Sequence, residues 1–382
     1  MKIAIDASSV NDSGALTYLY ELIINYQKNE KENLEIEIWA NRNILNLIPN
    51  KEFLKKKDIS KFTRNIFIRF IWHTFIFKKM LINHKTNILY SLSAFYLGGF
   101  KPFLLIHQNS LPFTKSEINN YKFSLKYLKL ILQKKLTLYS FYRSIMVIFL
   151  TNYAKQTVIS LLRKKINTKI IQHGLSKKFI RKPEDNYFLN KKYDKFNKIK
   201  LLYVSNFHIY KNHLSLLKAF NFLSKKYNLE LNLIGKKSDV SFSKVNKFII
   251  KNKIKNVNII DNVNYDEILN FYKSTDISIY PSTCENFPFG VIESLGLSIP
   301  TLTSNYITNL DVTFNKIHSF DSKNIEDIID KIETFILNDN LRKNNTIEAY
   351  NAVSKLDRKI TSRKTIDVIK YSYENYIKKI NE

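Results

Sequence analysis

The chain has 382 residues, 45% of them hydrophobic, and a formal net charge of +28 from 61 basic and 33 acidic side chains. That length suits two domains of ordinary size, and the apolar share is enough to bury a core in each. The single cysteine, Cys284, excludes an internal disulfide and a thiolate metal cluster, while the charge points to polyanions: nucleic acid, anionic lipid or phosphorylated substrates.

Met1-Lys2-Ile3-Ala4-Ile5-Asp6 puts an acid where a secretory leader would still be apolar, so it reads as a first strand. Short apolar runs then alternate with longer amphipathic ones, the pattern of parallel strands joined by crossover helices. In the first half the strand runs are Lys2–Asp6, Leu34–Trp39, Asn87–Ser91, Phe103–His107, Ile145–Leu150 and Lys169–Gln172. Ile66–Phe77, which reads IFIRFIWHTFIF between Arg64 and Lys78-Lys79, suits either a core helix or a helix lying in a membrane interface. Leu136–Ala154 carries one charge, Arg143, over about the length of a bilayer span. Its Thr137, Ser140, Ser144, Thr151 and Asn152 favour a helix end, a buried strand and a new helix instead.

From Gly174 to Asn197 the periodicity dissolves among Lys177, Lys178, Arg181, Lys182, Pro183, Glu184 and Asp185. The expected organisation is therefore an N-terminal domain over 1–174, a linker over 175–198 and a C-terminal domain over 199–382. A second alternation follows, with strands at Lys200–Val204, Leu229–Ile234, Val257–Ile260, Ile277–Tyr280 and Thr301–Thr303. Leu214, Leu217, Ala219, Phe220 and Leu223 keep helical spacing, as do Ile325, Ile328, Ile329, Ile332 and Phe335. The expected fold is α/β: two doubly wound, Rossmann-like domains facing each other across a cleft.

The most informative segment is Ser274–Asn305, STDISIYPSTCENFPFGVIESLGLSIPTLTSN. A strand ends at Pro281, a loop runs to Phe287, and a helix begins with Pro288 near its first turn, where a missing N–H costs nothing. Free amides and the dipole of such a helix start attract an anion at the ligand-binding edge of a parallel sheet. Gly290 allows close approach to the backbone. Glu285 and Glu293 bracket the element, and carboxylates accept hydrogen bonds from vicinal hydroxyls. The bland alternatives are an exposed helical acid at Glu293 and a solvated loop acid at Glu285.

This order of strand, Pro-Ser, Glu285, Phe-Gly, Glu293-Ser-Leu-Gly and Ile-Pro-Thr resembles the signature of the retaining GT-B glycosyltransferases of family 4. Leu201–Ser205 followed by Tyr210-Lys211-Asn212-His213 resembles the family's second-domain entry strand and phosphate loop. Leu233-Ile234-Gly235, Tyr265-Asp266-Glu267-Ile268, Gly14 and Gln172-His173-Gly174 resemble further family positions. The resemblance covers essentially the whole chain and is strongest over 199–305.

It implies a GT-B fold whose terminal helices pack back toward the N-terminal domain. It also implies transfer of a sugar, with retention, from a nucleotide-diphosphate sugar to a glycan or lipid-linked glycan, in cell-surface polysaccharide synthesis. By the resemblance Glu293 holds the ribose, Glu285 contacts the sugar, and the backbone of Phe287, Pro288, Phe289, Gly290 and Val291 cradles sugar or diphosphate oxygens. Lys211 neutralises the leaving diphosphate, which needs fixed positive charge as the bond breaks. His107, ending a first-domain strand, approaches the reacting sugar, although a plain strand-end histidine is the alternative. Gly14 and Ser13 approach the β-phosphate, and Gly235 ends a donor-side strand. Arg143 is a weaker cleft candidate or a helix-end cap.

One departure stands out. Where many relatives carry a phosphate-binding arginine, this chain has Ser205-Asn206, so Lys211 and the helix carry the load or Lys236 assists. No Asp-x-Asp motif occurs, and His208 and His213 have no adjoining carboxylate cluster, so no metal or other cofactor is expected. The charge and the 66–77 segment imply a peripheral position on the cytoplasmic face of an anionic membrane. The competing readings are an inert scaffold of the same fold and a basic nucleic-acid-binding protein. Against the second, no zinc finger, RNP-like motif or basic arm is found, so nucleic acid is not an expected partner.

Overall fold

The computed structural model of the chain describes every residue except 12–13, 31, 186–188, 190, 194–195, 238–239 and 262. Ser13 therefore lies outside the described residues. Two compact units form: Met1–Gly174 with Leu356–Glu382, and Leu175–Lys355.

The first unit is built on seven parallel strands: β1 (Lys2–Asp6), β2 (Glu35–Ala40), β3 (Leu54–Asp58), β4 (Ile88–Ser91), β5 (Phe103–His107), β6 (Met146–Phe149) and β7 (Thr168–Ile170). Their order is β3-β2-β1-β4-β5-β6-β7. Helix α1 (Gly14–Asn25) connects β1 to β2, and α2 (Ile66–Ile71) runs through a π-helical turn, Trp72–Ile76, into α3 (Phe77–Asn83). Helices α4 (Leu125–Arg143) and α5 (Asn152–Ile159) flank β6. The apolar stretch 136–154 is thus a helix end, a buried strand and a helix start. No helix among the described residues is long and apolar enough to cross a membrane.

One strand of this sheet, β3, went unread in the sequence. It reads LKKKD, and its side chains are half or fully exposed at the sheet's edge. Lysine on an edge is what keeps such a strand from pairing with another molecule, and it removes the apolar run that would reveal it. Its backbone still pairs in register with β2, Leu54 beside Ile36 and Asp58 beside Ala40.

The second unit carries six parallel strands: β8 (Ile199–Val204), β9 (Leu229–Ile234), β10 (Val257–Ile260), β11 (Ile277–Tyr280), β12 (Thr301–Ser304) and β13 (His318–Phe320). The order is β10-β9-β8-β11-β12-β13. The three-residue edge strand β13 is again too short to leave a sequence signal. Between strands lie α6 (His213–Leu223) and α7 (Phe289–Gly296), followed later by α8 (Ile325–Leu337). The stripe read in α8 does bury Ile328, Ile332 and Phe335.

Residues 175–198, expected as a linker, group with the second unit, and the last helix, α9 (Arg358–Asn381), groups with the first. Arg358 pairs with Glu21 of α1 and donates to the Gly174 carbonyl at 3.0 Å. Thr361 donates to Gln172, and Arg363 and Lys370 both reach Glu32. A Cβ on Gly174 would meet the Arg358 backbone at 2.3 Å, so only glycine admits the helix there.

Candidate functional site

In each sheet the strand order reverses at one place, between β1 and β4 and between β8 and β11. Open parallel sheets bind ligands at that place, beyond the carboxyl ends of the strands. In the second unit the loop over 205–212 follows β8 and the loop over 281–288 follows β11. These two loops carry Lys211 and Glu285.

The loops are tied together before any ligand is considered. The Thr283 amide and hydroxyl both donate to the Tyr210 carbonyl, at 2.8 and 3.1 Å. Tyr203, at the end of β8, donates to the Lys211 carbonyl at 2.8 Å and meets the Ser282 hydroxyl at 3.1 Å. Asn212 takes the left-handed conformation that reverses the chain into α6, and its amide donates to Ser322. The outcome is a Lys211 Nζ to Glu285 Oε1 contact of 2.6 Å, with the side chains only 19% and 14% exposed. The Glu285 carbonyl in turn accepts from Thr308. The loop acid is not simply solvated.

Glu293 departs further from the bland reading, being 4% exposed on α7. Burial, then the charge of Glu285, pushes the Tyr203 phenol far up. Burial is also the main cause for Tyr280, where Glu293 adds to the upward push against the hydrogen bonds of Tyr272 and Ser294. The two tyrosines meet edge to face, centroids 5.6 Å apart. Both carboxylates therefore act on one tyrosine pair at the ends of β8 and β11.

Pro288 caps α7 rather than lying inside it, and the Phe289 amide donates to Phe287. Pro288 has no N–H, so the first-turn amides without an intrahelical acceptor come down to Gly290 and Val291. A Cβ on Gly290 would sit 2.6 Å from the Tyr280 ring. That glycine is required first for packing the helix onto the tyrosine pair.

Asn206 acts as a clasp. Its Oδ1 accepts from the Lys236 amide at 3.0 Å, and the Phe207 amide donates to the Lys236 carbonyl. Gly235, at φ +157°, makes this crossing possible, since a Cβ would lie 2.1 Å from the Ser205 carbonyl oxygen. His213 is buried against Phe207, centroids 4.2 Å apart, and burial holds its pKa down to about 3, so it is neutral. His208 stacks on Tyr210. Among the described residues no group of three or more His, Cys, Asp or Glu is arranged to hold a metal ion.

The family described as "Glycosyl transferases group 1" matches residues 187–352, which span this whole constellation. The match is a likeness of this stretch, which is less than half of the chain. Two curated proteins of Staphylococcus aureus are similar: protein CapJ, 30% identical over 200 residues, and the capsular polysaccharide biosynthesis glycosyltransferase CapM, 25% identical over 199 residues. Each match covers 51% of this chain and 50% or 51% of the relative, so the chain spans about half the length of either by alignment. Anabaena HepE, solved in complex with UDP-glucose, superposes with a TM-score of 0.73 at 14% identity, over 97% of this chain and 100% of that one. The two-sheet architecture is the GT-B fold.

Outside the matched stretch, the first unit places its candidates differently. His107, at the end of β5, is 3% exposed, with the rings of Phe113, Phe149 and Phe141 at 5.0, 5.4 and 6.0 Å. Burial lowers its pKa to about 3. Gly14 opens α1. Arg143 donates to the Leu97 and Gly98 carbonyls at 3.1 and 2.8 Å, which anchors the chain after β4 and leaves it a structural role.

At the strand-order reversal of the first unit lies a cluster that sequence reading passed over. Asp6, fully buried at the end of β1, accepts from His73 at 2.8 Å, Ser91 at 2.7 Å and Ser93 at 3.2 Å, and from the Ser8 amide. Burial alone would raise this carboxyl; His73 and the hydroxyl and amide donors outweigh it and hold it well below the usual range. The signal available was an acid ending an otherwise apolar strand. Its partner stands in a segment read for its apolar residues.

Proposed function

We propose that the chain transfers a sugar from a nucleotide-diphosphate sugar to a glycan or lipid-linked glycan acceptor, with retention of anomeric configuration, in cell-surface polysaccharide synthesis. The observation that carries this reading is the Lys211–Glu285 contact on two loops that both leave the strand-order reversal of the second unit. A lysine and a carboxylate held at 2.6 Å are preorganised as a cation and an acceptor, and each has a partner to exchange when a polar substrate arrives. UDP-glucose binding by HepE and the capsular role of CapM support the same donor and acceptor classes.

In this reading Lys211 takes the leaving diphosphate, Glu285 the sugar hydroxyls and Glu293 the ribose. The first-turn amides of Gly290 and Val291 face phosphate or sugar oxygens. The bond between the anomeric carbon and the phosphate oxygen breaks, and negative charge grows on the diphosphate beside Lys211. The acceptor hydroxyl attacks from the face the diphosphate leaves, and its proton passes to a phosphate oxygen. Asn206 brings no charge, so Lys211 and the α7 amides stabilise that charge together with any help from Lys236. Buried, uncharged His107 serves as a hydrogen-bonding group or packing residue and not as a cation. No metal or other cofactor takes part, and the protein works peripherally on the cytoplasmic face of the membrane.

The test is a donor panel. Incubation with UDP-, GDP- and dTDP-sugars should give nucleotide release and thermal stabilisation with one of them. Wild-type activity that survives in both Lys211→Ala and Glu285→Ala would reject the assigned site, and NMR of the product decides the anomeric outcome.

A further inference from the structure

Helix α2 has no buried residue at all, although five of its six side chains are Ile or Phe. Ile66, Phe67 and Phe70 are 64%, 75% and 47% exposed, and Phe75 in the π turn is 67% exposed. Ile68, Ile71, Phe75, Lys79 and Ile82 succeed one another at spacings of three or four, so the exposed stripe continues through the π turn into α3. The opposite side is anchored: Trp72, Phe77 and Leu81 are fully buried in the core of the first unit. The element is therefore anchored through the π turn and α3 and carries an apolar outer face.

Helix α4 repeats the arrangement. Leu125, Leu128, Leu132 and Tyr139 are exposed at helical spacing, with Lys129 and Lys135 among them, and Phe123 just before the helix is fully exposed. Both elements pack on the same core, since Phe141 and Leu138 of α4 join the cluster that holds Trp72 and Phe77. Tyr96 links them: its ring meets His73 edge-on at 5.0 Å, and its backbone exchanges hydrogen bonds with the Ser140 hydroxyl at 3.0 Å.

The charge around these faces has one sign. From Ile59 to Gly174 the chain has 19 Lys and Arg and a single acid, Glu117, which is itself buried. Two such faces brought together would oppose like charges, which argues against a second copy of the chain as the occupant. Nucleic acid would match the charge and leave the isoleucines and phenylalanines in water. A bilayer with anionic headgroups matches both, with apolar side chains at the acyl boundary and basic ones on the phosphates.

We propose that α2, the π turn and α4 form one docking face that seats the first unit on an anionic bilayer without crossing it. His73 of the π turn is bonded to Asp6 at the strand-order reversal, so the docking face is fixed to the ligand-binding edge of that sheet. The inference rests on the membrane placement proposed above and not on the transfer chemistry.

The test is sedimentation of the full chain with vesicles of phosphatidylcholine alone, or of phosphatidylcholine mixed with phosphatidylglycerol. Binding is expected only to the mixed vesicles and is expected to weaken as salt rises. Phe67→Ser, Phe70→Ser and Phe75→Ser together should lower the partition at least tenfold while leaving the thermal transition, and any stabilisation by UDP-glucose, unchanged. Lys129→Glu with Lys135→Glu should lower it as well, and should flatten its salt dependence. A wild-type chain that ignores the mixed vesicles, or a triple variant that binds them as well as wild type, overturns the docking face and leaves the donor-panel result standing. A wild-type dimer that the triple variant converts to monomer, with no vesicle binding, also overturns it, in favour of a second copy.

Discussion

At the scale of single residues, the site depends on Lys211 and Glu285, which hold each other at 2.6 Å. Lys211→Ala should lower transfer by about 10²–10³-fold, the usual loss when one group stabilising transition-state charge is removed. Lys211→Arg should recover part of it, because the role proposed for this residue is to place charge beside the diphosphate; steady-state rates with the donor found in the panel would show this. A second expectation concerns pH. His107, His173 and His213 are each held by burial at a pKa of about 3, below the ordinary 6.5. Unfolded chains take up protons as pH falls below 6.5 while the folded chain does not until about 3. The stability these imidazoles give is therefore complete above pH 6.5 and is lost as pH falls toward 3. Each adds up to about 1.4 kcal/mol per pH unit to the slope. His107→Leu should flatten the fall of Tm with acid by one such contribution, which a series of thermal melts would record.

At the scale of elements, the site is the product of two loops zipped by Tyr203, Ser282, Thr283 and Tyr210. Tyr203→Phe keeps the ring edge to face with Tyr280 but removes the hydroxyl that donates to the Lys211 carbonyl. Losing one such bond costs about 1 kcal/mol. Donor affinity should fall several-fold with little change in the fold, measurable by calorimetric titration. In the first unit the π turn depends on Asp6. Asp6→Ala would take the acceptor from the buried donors of His73 and Ser91 and leave Ser93 only its contact with Ser9. Leaving a buried donor without its acceptor costs roughly 1–3 kcal/mol. A lower denaturant midpoint is the expected result, with faster proteolysis around residues 66–83.

At the scale of the whole molecule, chain order and structural order differ. Helix α9 ends the sequence after the second unit but completes the first, through Arg358–Glu21, Thr361–Gln172 and Lys370–Glu32. Ending the chain at Lys355 should therefore expose α1 and destabilise the first unit while sparing the second. Hydrogen exchange should rise over residues 14–25 and stay unchanged over 199–234.

The amino-acid pattern alone was enough for the alternation of parallel strands and helices, the buried strand within 136–154, and the Glu285–Glu293 segment. Each of these is local: a strand buried on both faces must be apolar, and a sheet-to-helix corner needs its proline and glycine nearby. The edge strands β3 and β13 escaped because an edge is held by backbone pairing that any side chain permits. Tertiary packing alone decided that Glu293 is buried, that Gly290 serves the Tyr280 ring, that Asn206 clasps Lys236 and that Asp6 meets His73 across 67 residues. It also decided which apolar helices remain uncovered. A helical stripe in sequence has the same form whether it faces a core or a bilayer, and only the filling of the core by Trp72 and Phe77 leaves Phe67 and Phe70 outside it.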